Sequence, residues 1–263
     1  MRMRTIVKVM NFHSLVHIDA ARRMTEKYIR MEAEVSKIID IIINNRNFIL
    51  DKVELKPNES APPLNIYIGS DFSFCGGLNS SVRDELLKDD EGDKVIVGRK
   101  LKSVAADDVI LALTKEEFDA DYWKVEELLD DSINDLRHSS INIIYNHFYS
   151  AGSISLRKRK IFPIPMAGGG DNSTEDFAVE GNVDVLLRKL TSTYASYEVK
   201  IASINSFASE NIMRQSATTE SLKKIDEMEE EKQKAERKKQ KQKTAAKVMD
   251  NYIKQTMYGG NRD

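Results

Sequence analysis

Apolar residues recur at two different rhythms along this chain, and the change of rhythm divides it into three. From Ala21, the residues Met24, Tyr28, Met31, Val35, Ile38 and Ile42 follow at alternating steps of three and four. That spacing predicts a helix with one apolar seam, built to pair with another helix. Met10, Ser14 and His17 lie on the same line earlier, Asn45 interrupts it and Ile49 follows. A second seam with the same steps runs through Leu187, Leu190, Tyr194, Tyr197, Ile201, Ile204 and Ala208, with Asn182 placed to cap its helix. The seam weakens through Leu222, Ile225 and Met228. It gives way to Glu229–Lys243, where Ala235 is the one apolar residue. A separate apolar patch then follows at Val248, Met249, Tyr252, Ile253 and Met257, before Gly259 and Gly260 end the helix.

Between the seams the rhythm is that of short strands and helices. Leu64–Ile68, Lys94–Val97, Ile141–Phe148 and Ile154–Phe162 read as strands, and Asn79–Lys88 and most of Phe118–Leu136 as helices. This alternation favours a parallel, doubly wound sheet. The breakers agree: all five Pro and ten of the twelve Gly lie from Pro57 to Gly181, the other two being Gly259 and Gly260. The chain therefore divides into an N-terminal coiled-coil helix over 1–56, an inserted α/β domain over 57–181 and a C-terminal coiled-coil helix over 182–263. Residues 167–180 form a Gly/Ser/Asp-rich loop. The two seams are expected to pack antiparallel, Ala21–Ile42 against Leu187–Ala208.

Composition narrows the function classes. The 263 residues hold 40 Lys+Arg against 42 Asp+Glu, a net charge of -2, which argues against nucleic-acid binding through global positive charge. One Cys excludes an intramolecular disulfide and a Cys-based zinc site within this chain. No apolar run has the roughly 20 residues of a membrane span, and the first residues lack a secretory signal. A soluble, intracellular, reduced protein is expected.

Candidate chemistry is sparse. Gly69–Asn79 follows a strand and precedes a helix, the position of phosphate loops, but lacks their Lys-Ser/Thr ending. No nucleotide is expected there. Cys75 within it could serve as a nucleophile only beside a positioned base, for which His138 and His147 are the candidates. His13 and His17, four apart on a helix, have no third ligand nearby, so no metal site is assigned. The Glu229–Lys243 run reads as a solvated helical face. A solvated face does not explain the apolar patch beyond it, which reads as a shaft protruding into a partner.

Several segments, in order, resemble the gamma subunit of F-type ATP synthases, the central rotor shaft. Phe72–Asn79 (FSFCGGLN) resembles the family's GLCGGLN, and Ile143–Ser150 (IIYNHFYS) its YNKFVS strand. Ile161–Ile164 (IFPI) resembles LLPI, and Phe177–Leu187 (FAVEGNVDVLL) resembles FEPSPEELL. Ala208–Asn211 (ASEN) matches the ASE of its long C-terminal helix, and Ala217–Thr218 the later AT. Ala20–Arg23 (AARR) resembles the basic AAKLRRA stretch. The family's KITKAM is replaced by Val9–His13, and its RQxxIT near the end is absent.

The resemblance implies an antiparallel coiled coil of the terminal helices with an inserted Rossmann-like parallel-sheet domain. It implies a non-catalytic stalk inside a ring of alpha and beta ATPase subunits, an epsilon-type subunit, and a membrane rotor ring docked at the α/β domain. No cofactor and no metal are implied. A peripheral place on the cytoplasmic face of the cell membrane follows, with an organelle inner membrane as the alternative. Arg22, Arg23, Val248, Met249, Tyr252, Ile253 and Met257 are the candidate partner contacts. Two other readings remain at this point: a coiled-coil adaptor or stalk of another ATPase, and a small α/β enzyme using Cys75.

Overall fold

The structure, a computed structural model, describes residues 2–44, 57–104, 106–150, 153–164 and 181–259. Asn45, Ile49, the loop 167–180 and Gly260 lie outside the described residues. Helix α1 spans Arg2–Asn44 and the last helix spans Val183–Gly259. Neither contains an internal Gly or Pro to stop it. The last helix begins as expected, with the Asn182 side chain accepting from the N–H groups of Asp184 (2.8 Å) and Val185 (3.3 Å).

Residues 12–217 form one compact unit, and the remaining portions of the two long helices form another. The first is built on a sheet. In chain order its elements are β1 (Leu64–Ile68), α2 (Leu78–Lys88), β2 (Asp93–Val97), α3 (Arg99–Lys102), β3 (Val109–Leu113), α4 (Lys115–Ala120), α5 (Trp123–Asn134), β4 (Ile141–Ser150) and β5 (Ser153–Phe162). The last helix is α6. The strand order is β3-β2-β1-β4-β5. Strands β1 to β4 are parallel, as their alternation with helices predicts. Strand β5 runs antiparallel to β4. Only two residues separate Ser150 from Ser153, too few for the crossover that a parallel neighbour needs. Strand β3 and the single turn of α3 were not anticipated. The five-residue run VILAL carries no alternation to mark it as a strand, and periodicity alone does not separate such a run from helix.

Both faces of the sheet are covered. Val82, Leu86 and Leu101 from α2 and α3 meet Tyr67, Ile96 and Ile144 on one face. On the other, Phe118, Val125, Leu129 and Ile133 of α4 and α5 share a core with Ile66, Val95 and Ile143, and with Ala195, Val199 and Ala202 of α6. The small residues of α6 let its backbone approach the sheet closely. Where β1 and β2 leave the sheet the chains nearly touch. A Cβ on Gly98 (φ +114°) would stand 2.8 Å from the Gly69 carbonyl carbon, so only glycine fits there.

The two long helices pair antiparallel within this unit. Ile39 and Ile42 share a cluster with Leu187 and Tyr194. Tyr28 meets Tyr197 with ring centroids 6.2 Å apart, and His17 meets Phe207 at 5.3 Å. Positions descend along α1 as they ascend along α6. The seam of α1 departs from the strict three-four reading at two places. Met24 is 56% exposed and Ile38 is 44% exposed, whereas Thr25 is half-buried and Ile39 is 1% exposed. A straight helix of 3.6 residues per turn drifts by about 20° per heptad from a 3.5-residue repeat, so the buried line moves one position over.

The second unit is two helices alone. Asn11 Nδ2 donates to Thr218 Oγ1 and Thr219 Oγ1 at 2.9 Å each, and Arg4 reaches Asp226 (2.9 Å) and Glu229 (3.0 Å). The same antiparallel sense follows. From Asp226 to Met257 every described α6 residue is exposed.

A buried carboxylate meets a half-buried arginine where β5 packs on α6. Glu198, 1% exposed, accepts from Arg159 Nη2 at 2.5 Å. Burial pushes the Glu198 carboxyl above the ordinary glutamate range, the Arg159 guanidinium opposing and Glu32 of α1 adding to the rise. Glu32 is raised for the same reason, with Arg159 again opposing.

Two outcomes are expected. Ile39→Ala should cost ~2–5 kcal/mol of stability by leaving a cavity, and Ile38→Ala should stay within about 0.5 kcal/mol as a surface change. Urea unfolding of both variants checks this, and equal costs would return Ile38 to the seam. The second concerns pH. Because the folded state binds the Glu198 proton more readily than the unfolded chain, stability from this group rises as pH falls from neutral toward its ordinary value of 4.5. His147 has the opposite sign: burial, then Arg157 and Arg159, depress its pKa below 6.5. Wild type should therefore gain stability relative to Glu198→Gln on acidification, with His147 contributing alike to both. Paired thermal melts across this range that run parallel would show no such linkage.

Candidate partner-contact site

The described α6 residues after the charged run include a cluster of exposed apolar side chains with no other described element against them. Val248 and Met249 are each 63% exposed, Tyr252 is 67%, Ile253 is 46% and Met257 is 78% exposed. On a helix of 3.6 residues per turn they spread over about half of its circumference. Large apolar side chains gathered this way mark a contact surface. Arg22 and Arg23 are exposed neighbours on α1, in the unit of residues 12–217. The structure thus leaves every sequence-predicted contact residue accessible but in two separate groups.

Two further surfaces escaped the sequence reading. Met3, Ile6 and Val9 of α1 are 71%, 59% and 50% exposed in the two-helix unit. They step by threes, but basic residues are interspersed and Val7 and Met10 flank them, so no single seam stands out. The second surface is the loop after β1, where Phe72 and Phe74 are 66% and 69% exposed. The Arg214 guanidinium of α6 sits 5.8 Å from the Phe72 ring centroid, and Phe74 holds φ +65°. The alternation Phe-Ser-Phe beside two glycines was the available signal.

That same loop stands where open α/β sheets hold ligands, beyond the carboxyl ends of the strands. Its polar groups are engaged internally. The Ser70 N–H donates to Asn79 Oδ1 at 3.0 Å, and Asn79 Nδ2 donates to Ser70 Oγ (2.9 Å) and Cys75 Sγ (3.2 Å). The Asp71 carboxylate accepts from the first N–H of α3, at Arg99 (2.7 Å), and of α4, at Lys115 (3.0 and 3.2 Å). Such N–H groups receive phosphate in nucleotide-binding relatives of this architecture. Helix α6 closes the rest of the rim: Ser209 Oγ donates to the Asn146 carbonyl at 3.1 Å and Ser206 Oγ to the Ile68 carbonyl at 3.5 Å.

Cys75 is buried. The two candidate bases are engaged elsewhere. His138 lies between Ser132 and Asp93, at 3.0 Å from each, and His147 stacks edge-on between Tyr145 and Tyr149. His13 and His17 stack on each other at 6.3 Å, and no group of three metal-ligating side chains is present among the described residues. Among those residues no helix is long and apolar enough to cross a membrane.

Comparison with known proteins places this geometry. A family model described as ATP synthase matches residues 1–250. The ATP synthase gamma chain of Clostridium novyi is 25% identical over 225 residues, covering 81% of this chain and 78% of that one. The gamma chain of Clostridium perfringens is 27% identical over 244 residues, covering 86% and 82%. Among solved structures, the central stalk and c-ring of the Tetrahymena thermophila mitochondrial ATP synthase aligns with a TM-score of 0.60 at 21% identity, over 82% of this chain and 99% of that one. A chain of the Euglena gracilis mitochondrial ATP synthase aligns at 0.53 and 16% identity, over 94% and 96%. These structural likenesses are of fold. With a family model that runs from its first residue to residue 250 and curated relatives that are gamma chains, this chain belongs to the ATP synthase gamma family.

Proposed function

We propose that this chain is the non-catalytic central stalk of an F-type ATP synthase or ATPase, turning inside a ring of alpha and beta subunits. The observation that carries the reading is the two-helix unit: exposed apolar residues on both α1 and α6, with no third element against them among the described residues. A surrounding ring would cover them. Val248, Met249, Tyr252, Ile253 and Met257 would lie within it, and Arg22 and Arg23 would also meet ring subunits. The α/β domain would dock an epsilon-type subunit and a membrane rotor ring, which sets the chain peripherally on the cytoplasmic face of a membrane.

The chain's role in such a motor is mechanical. A shaft whose faces differ favours a different conformation in each ring subunit it touches, a population shift driven by differential contact. Turning the shaft carries each catalytic site through its states in order, and ATP chemistry stays with the ring subunits. Ion movement and ATP turnover are then coupled through rotation alone. The exposed methionines of the α6 stripe suit a contact that changes partners, since thioether side chains adapt to successive surfaces.

The direct test is assembly. Added to alpha and beta subunits that lack a stalk, the full chain should restore ATP-driven ion pumping in sealed vesicles. A chain cut after Thr244 should keep residues 12–217 folded by circular dichroism and lose pumping several-fold. Full pumping by the cut chain would remove the apolar stripe from the mechanism.

A further inference from the structure

From Lys189 to Ser209, α6 presents a polar group to the α/β domain on almost every turn. Lys189 Nζ lies 2.7 Å from Asp130, and Ser192 Oγ donates to the same carboxylate. Ser196 Oγ donates to Glu126 at 3.1 Å, while its carbonyl accepts from Tyr122 Oη at 2.6 Å. Glu198 pairs with Arg159, and Ser203 Oγ accepts from Lys115 Nζ. Ser206 and Ser209 then reach the carbonyls at the ends of β1 and in β4. Six of these residues, Ser192, Ser196, Glu198, Ser203, Ser206 and Ser209, are at most 6% exposed. The partners come from α4, α5, β1, β4, β5 and the turn between α4 and α5.

Cohesion alone does not call for such a seam. Buried polar pairs replaced by well-packed apolar residues often leave stability unchanged or improved. What polar partners add is position. Apolar contact is non-directional, and a helix held only by it can shift or roll with limited penalty. Here a slip of one turn, or a rotation of α6 about its axis, would leave several buried donors and acceptors without partners at once. The best-attested use of buried polar groups is to fix register.

We propose that this seam is the joint that carries turning force between the α/β domain and the shaft, with Ser196, Ser206 and Ser209 as positioning residues that hold α6 against sliding and rolling under load. The inference rests on the stalk reading above and adds where in the chain the load passes. In that motor a domain driven from the membrane side and a helix driven from the ring side meet along these residues.

The test uses the full chain assembled with its ring and membrane partners in sealed vesicles. Ser196→Ala, Ser206→Ala and Ser209→Ala are combined in one variant. ATP hydrolysis is expected to be little changed. Ions pumped per ATP should fall several-fold against a steep opposing gradient and much less at a shallow one, a load dependence that a merely structural role would not produce. Unchanged pumping at high load, or a loss indifferent to load, would overturn the proposal. Should the triple variant not assemble, Ser209→Ala alone is read in the same way, since this residue is fully buried. If the native chain itself fails to couple, the stalk reading falls, an outcome distinct from failure of the variant alone.

Discussion

One helix, α6, is buried on two sides at once, and the rest of the unit of residues 12–217 is arranged around that constraint. Toward α1 it presents Leu187, Leu190 and Tyr194; toward the sheet it presents Ala195, Val199 and Ala202. An amphipathic surface helix needs one apolar face, but a helix between two layers must be buried nearly all round. The sheet side therefore carries small side chains that allow close approach. The polar residues between them are tolerable only because each meets a partner. Thr191 and Asn205 bond back to carbonyls one turn earlier, which satisfies the Thr191 hydroxyl and the Asn205 amide N–H without any tertiary contact.

What was legible in the sequence follows from this arrangement. The seam facing α1 obeys one period and stood out, as did the Asn182 cap and the strands β1, β2, β4 and β5. The second buried face of α6 did not, because alanines and serines carry too little hydrophobicity to mark a face. Met24 and Ile38 were misplaced because a repeat of 3.5 was read over a span long enough for helical drift to matter. Of the exposed apolar groups, the one after Lys243 was readable because a long charged stretch isolates it. Met3, Ile6 and Val9 were hidden among alternating basic and apolar residues, and Phe72 and Phe74 among glycines that first suggest a loop for phosphate.

The two units differ in where their stability resides. Residues 12–217 bury a separate apolar core on each face of a sheet. The other unit has two helices, a few side-chain bonds and exposed apolar residues on each helix. Single helices in water are marginal without a packed face, however regular their sequence. The charged run Glu229–Lys243 adds pairs such as Lys234–Glu230 at 4.0 Å, which are exposed and contribute little. A contact surface on such an element is completed by what surrounds it, in keeping with a stalk whose partners form a ring.

The carboxylate of Asp71 has a wider meaning for the α/β domain. Doubly wound sheets leave unsatisfied N–H groups at their carboxyl rim, and most use them to recognise a diffusible anion. Here the chain provides that anion itself, and the shaft helix fills the crevice beside it. Those N–H groups are thus satisfied from within the fold, and a rim that in other doubly wound sheets recognises a ligand serves here to tie the starts of two helices to the loop after β1.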